Sequence, residues 1–144
     1  MTYGGKLCLK KILLAISLLT ITVSTFADWV DFDKDSEKTY YSDPARWIVK
    51  DRNNQIATVW IKSVIHTDLT KDGYGVGDHQ LVQFSINCQE QTNAMVSVFA
   101  YKKGSLDNSY TEKYLKYEPL IPDSRGELVA SVACASLFDD AESV

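Results

Sequence analysis

Residues 56–65 read IATVWIKSVI, and this run is the clearest strand signal in the chain. β-Branched and aromatic side chains dominate it, and such side chains favour a pleated, half-buried strand. Val59 and Ile61 point to one face of that strand, whereas Trp60 and Val64 point to the other. Because both faces carry apolar residues, we expect a central strand with one fully buried side.

Further strands are predicted on both sides of this run, at residues 40–42, 47–50, 81–87 and 94–101. Turn residues separate them: Ser-Asp-Pro at 42–44, and two asparagines at 53–54 that suit a tight hairpin. Residues 102–108 are predicted to form a turn or loop. Residues 110–117 are ambiguous, and an edge strand is one interpretation of them. The short strands and polar loops together indicate an antiparallel meander.

A helix is predicted near the C-terminus, after an extended link. Ser124 can cap it, and Glu127 stands three residues later in the capping-box position. Cys134 lies beside the predicted apolar stripe of Leu128, Val132 and Ala135, on the face shared with Ala130, Ser131 and Phe138. A helix packed on the sheet by this side could present Cys134 to a strand end. The predicted fold class is therefore α+β, a single antiparallel β-sheet of about five to six strands with a C-terminal helix packed on it.

The first 27 residues have the pattern of a cleavable signal peptide. Lysines at positions 6, 10 and 11 precede an apolar run of 12 residues, 12–23. A membrane-spanning helix needs roughly 20 residues, so the length disfavours the alternative, an uncleaved anchor. Ala27 supplies a small side chain for the peptidase, and we expect Asp28 to be the first mature residue. Cys8 precedes the apolar run, so no thiol is placed for lipid attachment.

The predicted mature chain is one small acidic domain. Removal of residues 1–27 takes away three lysines and no acidic residue, leaving 117 residues with 12 basic and 19 acidic side chains, a net charge of −7. Residues 28–138 would form the domain, and residues 139–144 a disordered acidic tail. This charge argues against nucleic acid and anionic membrane surfaces as partners. We expect no stable membrane insertion once the signal is removed, and a location in the periplasm, at the cell surface or outside the cell.

Two cysteines remain in the predicted mature chain, Cys88 and Cys134. An even pair in an oxidising compartment indicates a disulfide. Two free thiols or an intermolecular bridge are the alternatives that the sequence leaves open.

No set of catalytic or metal-ligating residues is predicted, and no cofactor is expected. Residues 31–35 carry alternating carboxylates, but serines occupy the Gly and Glu positions of a calcium-binding EF-hand loop, so a solvated acidic run is the preferred interpretation. Residues 73–77 are glycine-rich without a phosphate-loop ending, and they favour a mobile connection between strands. His66 and His79 border that loop without a third ligand placed by spacing.

Several segments, taken in order, resemble the surface-adhesin protein E family of exported bacterial domains. They are Trp29, the Tyr-Tyr-Ser-Asp-Pro run at 40–44, Val-Trp-Ile-Lys at 59–62, the strand ending at Cys88, and the Ile-Pro start of the helical segment at 121–134. The resemblance implies a small antiparallel sheet, a C-terminal helix and a disulfide from strand to helix. It also implies a surface protein that contacts host cells or extracellular matrix.

The predicted function is therefore a non-catalytic protein-binding module. Aromatic side chains are too numerous for one small core, and Tyr74, Tyr40 and Tyr41 are the candidate binding residues. The partner would be a host matrix or envelope protein, and a homodimer through a sheet edge is the competing association. Two alternative functions are a periplasmic accessory to an envelope complex and a small exported hydrolase.

Overall fold

The computed structural model describes residues 28–139 and shows one antiparallel sheet with a single C-terminal helix. The strands are β1 (Val30–Lys34), β2 (Lys38–Ser42), β3 (Ile48–Asp51), β4 (Ile56–Ile65), β5 (His79–Asn87), β6 (Thr92–Lys102), β7 (Ser105–Thr111) and β8 (Glu118–Pro119), and the helix is α1 (Arg125–Phe138). The sheet has 8 strands in the order β1-β2-β4-β5-β6-β7, with β3 also paired to β4 and β8 to β6. The predicted α+β architecture is confirmed, with more strands than expected.

Two of the additional strands come from segments that had been given other structures. Residues 31–35 were predicted to be a solvated acidic run, but β1 covers most of them and pairs with β2. Residues 102–108 were predicted to be a turn or loop, but the turn occupies only Lys103 and Gly104, and β7 follows at once. Both of these residues have positive φ, 51° and 78°, as a tight hairpin turn requires. β7 buries no face, so its sequence shows no alternation. β1 alternates over only Val30 to Asp33, which is too short to stand out beside its acidic residues.

β4 is central, as predicted, with β2 and β3 along one side and β5 along the other. Val59 is completely buried in its middle. On the same face, Ile86 of β5 joins it in the core, together with Val129, Ala130 and Ala133 of α1. We call this face the helix side of the sheet, and the opposite face, which carries Trp60, the open side.

The helix begins as predicted, and it packs on the sheet through the side that carries Cys134, Ala130 and Phe138. The Ser124 hydroxyl accepts a hydrogen bond from the Glu127 N–H at 3.2 Å, which is the predicted cap. The neighbouring apolar stripe is not the packed face, because Leu128 and Val132 are 46% and 51% exposed. The face turned to the sheet carries Val129, Ala130, Ala133 and Phe138 instead. Small alanines let the helix backbone approach the sheet closely, and helical spacing alone does not show which of two neighbouring stripes does so.

A disulfide joins Cys88, directly after β5, to Cys134 in α1, with the two Cα atoms 5.7 Å apart. It closes a loop between residues separated by 46 positions, and the expected intramolecular pair is thus present. In the chain-entropy account such a loop adds about 4 kcal/mol to the free energy of unfolding. The bridge holds α1 against the end of the sheet. The buried face of α1 is small, so it contributes little contact area without the bridge.

Two predictions lie outside the described residues: the signal peptide over residues 1–27 and, apart from Asp139, the acidic tail. Within residues 28–139, no helix has the length and apolar character needed to cross a membrane.

Candidate binding surface

β7 is the last strand of the sheet, and its outer edge pairs with no other described strand. All seven of its residues, Ser105–Thr111, are exposed. An edge of this kind presents backbone N–H and C=O groups that another strand can pair with. The sequence leaves it without the charged side chains that commonly protect such edges, apart from one aspartate.

That aspartate, Asp107, marks a bulge near the start of β7. Leu106 pairs with Tyr101 and Asn108 with Ala100, so Asp107 is the extra residue. Its carboxylate accepts a hydrogen bond from the Tyr74 hydroxyl at 2.6 Å. This bond raises the pKa of Tyr74 above its usual value. The bulge therefore divides β7 into a short part beside the glycine loop and a regular part, residues 108–111, farther along.

Exposed apolar side chains concentrate in and directly after β7. Among the described residues, half of the large hydrophobic side chains that are exposed fall within residues 106–121: Leu106, Tyr110, Tyr114, Leu115, Tyr117 and Ile121. Tyr114 is 76% exposed. The set extends from β7 towards the open side, where the Tyr117 hydroxyl lies 2.6 Å from the Ser85 hydroxyl of β5. Isolated exposed apolar residues are ordinary, but a concentration in one segment indicates an interaction surface. We call this set, together with the β7 edge, the β7 surface.

The opposite edge of the sheet is less suited to pairing. β1 is interrupted by a bulge between Asp31 and Asp33, and charged side chains occupy three of its five positions. Bulges and charges are the features by which natural sheets prevent edge-to-edge association. The two edges of this sheet therefore differ, and only β7 offers a regular, mostly uncharged stretch.

The glycine loop between β4 and β5 is held by hydrogen bonds at both of its ends. The Glu37 carboxylate accepts bonds from the backbone N–H groups of Leu69 and Thr70 at 3.1 and 2.8 Å. Asp78 is buried and accepts from the Gly75 and Lys103 N–H groups. These bonds, that from Lys103 first, hold the pKa of Asp78 below its usual value. This loop was predicted to be a mobile connection. Its hydrogen bonds join it to Glu37, just before β2, and to Lys103 in the turn between β6 and β7.

The sequence matches the profile of one protein family, described as surface-adhesin protein E, over residues 29–135. This span covers most of the chain and includes every strand and nearly the whole helix. The chain belongs to the surface-adhesin protein E family. A search of curated proteins found no match.

In this surface-adhesin protein E domain, two of the three predicted binding tyrosines lie away from the β7 surface. Tyr40 is on the helix side, where its hydroxyl donates to Asp35 at 2.8 Å and the Arg125 guanidinium lies 4.0 Å from its ring centroid. Burial raises the pKa of Tyr40, and the bond to Asp35 adds to this. Tyr41 faces the open side beside Lys62. The structure does not bring these two tyrosines together with Tyr74.

The two histidines have separate contacts. His66 Nε2 lies 3.1 Å from the Asp35 backbone oxygen, and its Nδ1 lies 3.0 Å from the Thr67 hydroxyl. His79 stacks on Tyr101 with ring centroids 4.8 Å apart, and burial lowers its pKa. Within residues 28–139 no three His, Cys, Asp or Glu side chains are grouped closely enough to hold a metal ion.

The sequence interpretation missed β7, apart from the ambiguous segment 110–117, whose first two residues end this strand. Its residues SLDNSYT are mostly polar and small, so they favoured a loop. The signal that could have revealed the hairpin is the Lys-Gly pair at 103–104, which follows a long strand and can adopt the positive φ of a two-residue turn.

Proposed function

We propose that the protein is an exported, non-catalytic adhesin-like module that binds a protein partner by strand addition at the β7 surface. The observation that carries this proposal is a regular unpaired edge at residues 108–111 that holds exposed Tyr110 and is followed three residues later by exposed Tyr114. Strand addition supplies affinity through backbone hydrogen bonds, while neighbouring side chains supply specificity. Membership of the surface-adhesin protein E family supports an extracellular protein, such as a matrix component, as the partner class.

The role of Tyr74 changes in this proposal. Its hydroxyl is bonded to Asp107 and the Lys102 ammonium lies 5.6 Å from its ring centroid, so it fixes the bulge that ends the regular edge. Tyr74 would therefore support the surface, and Tyr110 and Tyr114 would contact the partner. Tyrosine suits that contact because it adds a large rigid area at small entropic cost.

Binding of the mature domain to a panel of purified extracellular-matrix proteins, measured by surface plasmon resonance, tests the proposal. Ser109→Lys places a charge on the regular edge, and Tyr110→Ala removes an exposed aromatic group from it. Ile48→Ala is the matched control, since Ile48 is also exposed but lies on β3. We expect both β7 variants to weaken binding about tenfold or more and the control to bind as the wild type does. Equal affinities across all four proteins would refute the β7 assignment.

A further inference from the structure

A cleft opens on the helix side of the sheet, beyond the N-terminal end of α1. Its volume is about 290 Å³. Its floor is apolar and is formed by Ile61, Val82 and Phe84, with the buried core residues Val59, Ile86 and Val129 behind them. α1 covers only part of this face, so the cleft is the uncovered continuation of the core. Its volume is at the lower limit of ordinary small-molecule sites, which share this apolar character.

The mouth of the cleft is polar and carries positive charge. Lys38 and Arg125 contribute cations, and Ser63, Gln80 and Asn93 contribute neutral polar groups. Arg125 is neutralised by its contacts with Asp33 and Asp35. Lys38 makes no ion pair within 4.0 Å of a carboxylate of residues 28–139, although it interacts at longer range with Glu37. An apolar floor with an ammonium group outside any close ion pair at its rim is complementary to an apolar chain that ends in an anion.

We propose that this cleft binds a free fatty carboxylate, with the acyl chain along the apolar floor and the carboxylate at Lys38. The floor gives affinity in proportion to the apolar area removed from water, and Lys38 selects the anionic head. The hydrogen-bonding groups of Ser63 and Gln80 lie next to Lys38 and can complete the contacts of the second carboxylate oxygen. This site is separate from the β7 surface and does not depend on the proposed protein partner.

A second apolar groove, of about 300 Å³, lies on the other side of α1 and provides an internal comparison. Val30, Trp47, Leu128 and Val132 are among its lining residues, and no lysine or arginine is. A purely hydrophobic ligand should not distinguish it from the cleft, whereas a carboxylate should choose the cleft.

The test is a titration of the isotope-labelled mature domain with dodecanoate, kept below its micelle concentration and followed by backbone amide NMR. Two matched pairs of variants accompany it. Lys38→Gln removes the rim cation, and Lys50→Gln makes the same change at an exposed position on β3. Val82→Phe fills the cleft, and Val132→Phe places the same bulk in the second groove. Dodecanol serves as the ligand without a charge.

We expect saturable dodecanoate binding with shifts at the residues of the cleft. Lys38→Gln should weaken it about twofold to fivefold, the size expected for a half-exposed ion pair, and should leave dodecanol binding unchanged. Val82→Phe should abolish binding, and Lys50→Gln and Val132→Phe should not. The proposal is overturned by absence of saturable binding, by loss of binding in Val132→Phe alone, or by wild-type affinity in Lys38→Gln. If Val82→Phe fails to fold, the comparison of Lys38→Gln with Lys50→Gln still tests the proposal, because Lys38 contributes no core contact.

Discussion

Arg125 connects the N-terminal hairpin to the helix. It contacts the carboxylates of Asp33 and Asp35 and lies over the ring of Tyr40. A cation at the first turn of a helix faces the positive end of the helix dipole, which is unfavourable. The two aspartates offset that cost, so the arrangement depends on all of its members being present.

Replacement of Arg125 should therefore destabilise the domain moderately. Arg125→Ala should lower the free energy of unfolding by about 1 kcal/mol, because the ion pairs are half-exposed but share one guanidinium with a ring. Arg125→Lys should recover only part of this, since an ammonium group cannot make the same forked and stacked contacts. Urea denaturation measures both. A midpoint for Arg125→Ala equal to that of the wild type would contradict the assigned role.

Asp35 predicts how stability responds to acid. Backbone N–H groups of Lys38 and Glu37 donate to its carboxylate, and with the Tyr40 hydroxyl they lower its pKa from 3.8 to about 2. A carboxylate whose pKa is lower in the folded state stabilises the fold above its unfolded pKa, and this contribution is lost as pH falls through the folded value.

We therefore expect the urea midpoint to fall between pH 4 and pH 2, with a smaller fall in Asp35→Asn. Asp31→Asn, an exposed carboxylate on the neighbouring strand, serves as the control and should behave as the wild type. An NMR titration of the Asp35 side chain provides a direct check. A measured pKa at or above 3.8 would contradict the account.

At the scale of elements, α1 packs through a narrow face that contains more alanine than its exposed stripe. Val129→Ala and Val132→Ala make the same chemical change on the two faces. The first removes buried methyl groups and should lower the free energy of unfolding by about 2 kcal/mol. The second should change it by less than about 0.5 kcal/mol. If thermal or urea denaturation showed equal losses of stability for the two variants, α1 would not pack through the Val129 face alone.

The disulfide should carry much of the attachment of α1 to the sheet. The Cys88→Ser, Cys134→Ser double variant should lose up to about 4 kcal/mol of unfolding free energy. Amide hydrogen exchange in α1 should accelerate more than exchange in β4 and β5, because only the helix loses its covalent connection. Reductant should reproduce the effect in the wild type. An unchanged urea midpoint after full reduction would refute this.

These elements also show what the sequence could and could not predict. β4 was predictable because its central position covers both faces, so β-branched and aromatic residues occur on both faces of the strand. β1 and β7 were not, since edge strands obtain their structure from a neighbouring strand and bury little of their own surface. Helical spacing drew attention to Leu128 and Val132 because they are more apolar than the alanines that pack. Tyr40 was predicted to bind a partner because it is aromatic. In the fold it contacts Arg125, which is 85 residues away in sequence, so no local sequence pattern indicates this contact.

For the whole molecule, the account describes a sheet with one protected edge and one available edge. The bulge and charges of β1 protect the first, and the bulge at Asp107 limits the second to residues 108–111. The same edge could pair with a second copy of the chain, so self-association and partner binding would compete for it. If a dimer forms, dilution of the domain should dissociate it and free the β7 edge, so the apparent affinity for the partner should rise.

The central claim is tested most directly by amide hydrogen exchange of the mature domain, free and bound to the matrix protein from the panel that binds it best. The account predicts new protection in β7 at residues 108–111, little change in β1, and loss of the new protection in Ser109→Lys. Protection confined to β1 or to the glycine loop, or a bound state in which β7 exchanges as fast as in the free domain, would contradict it.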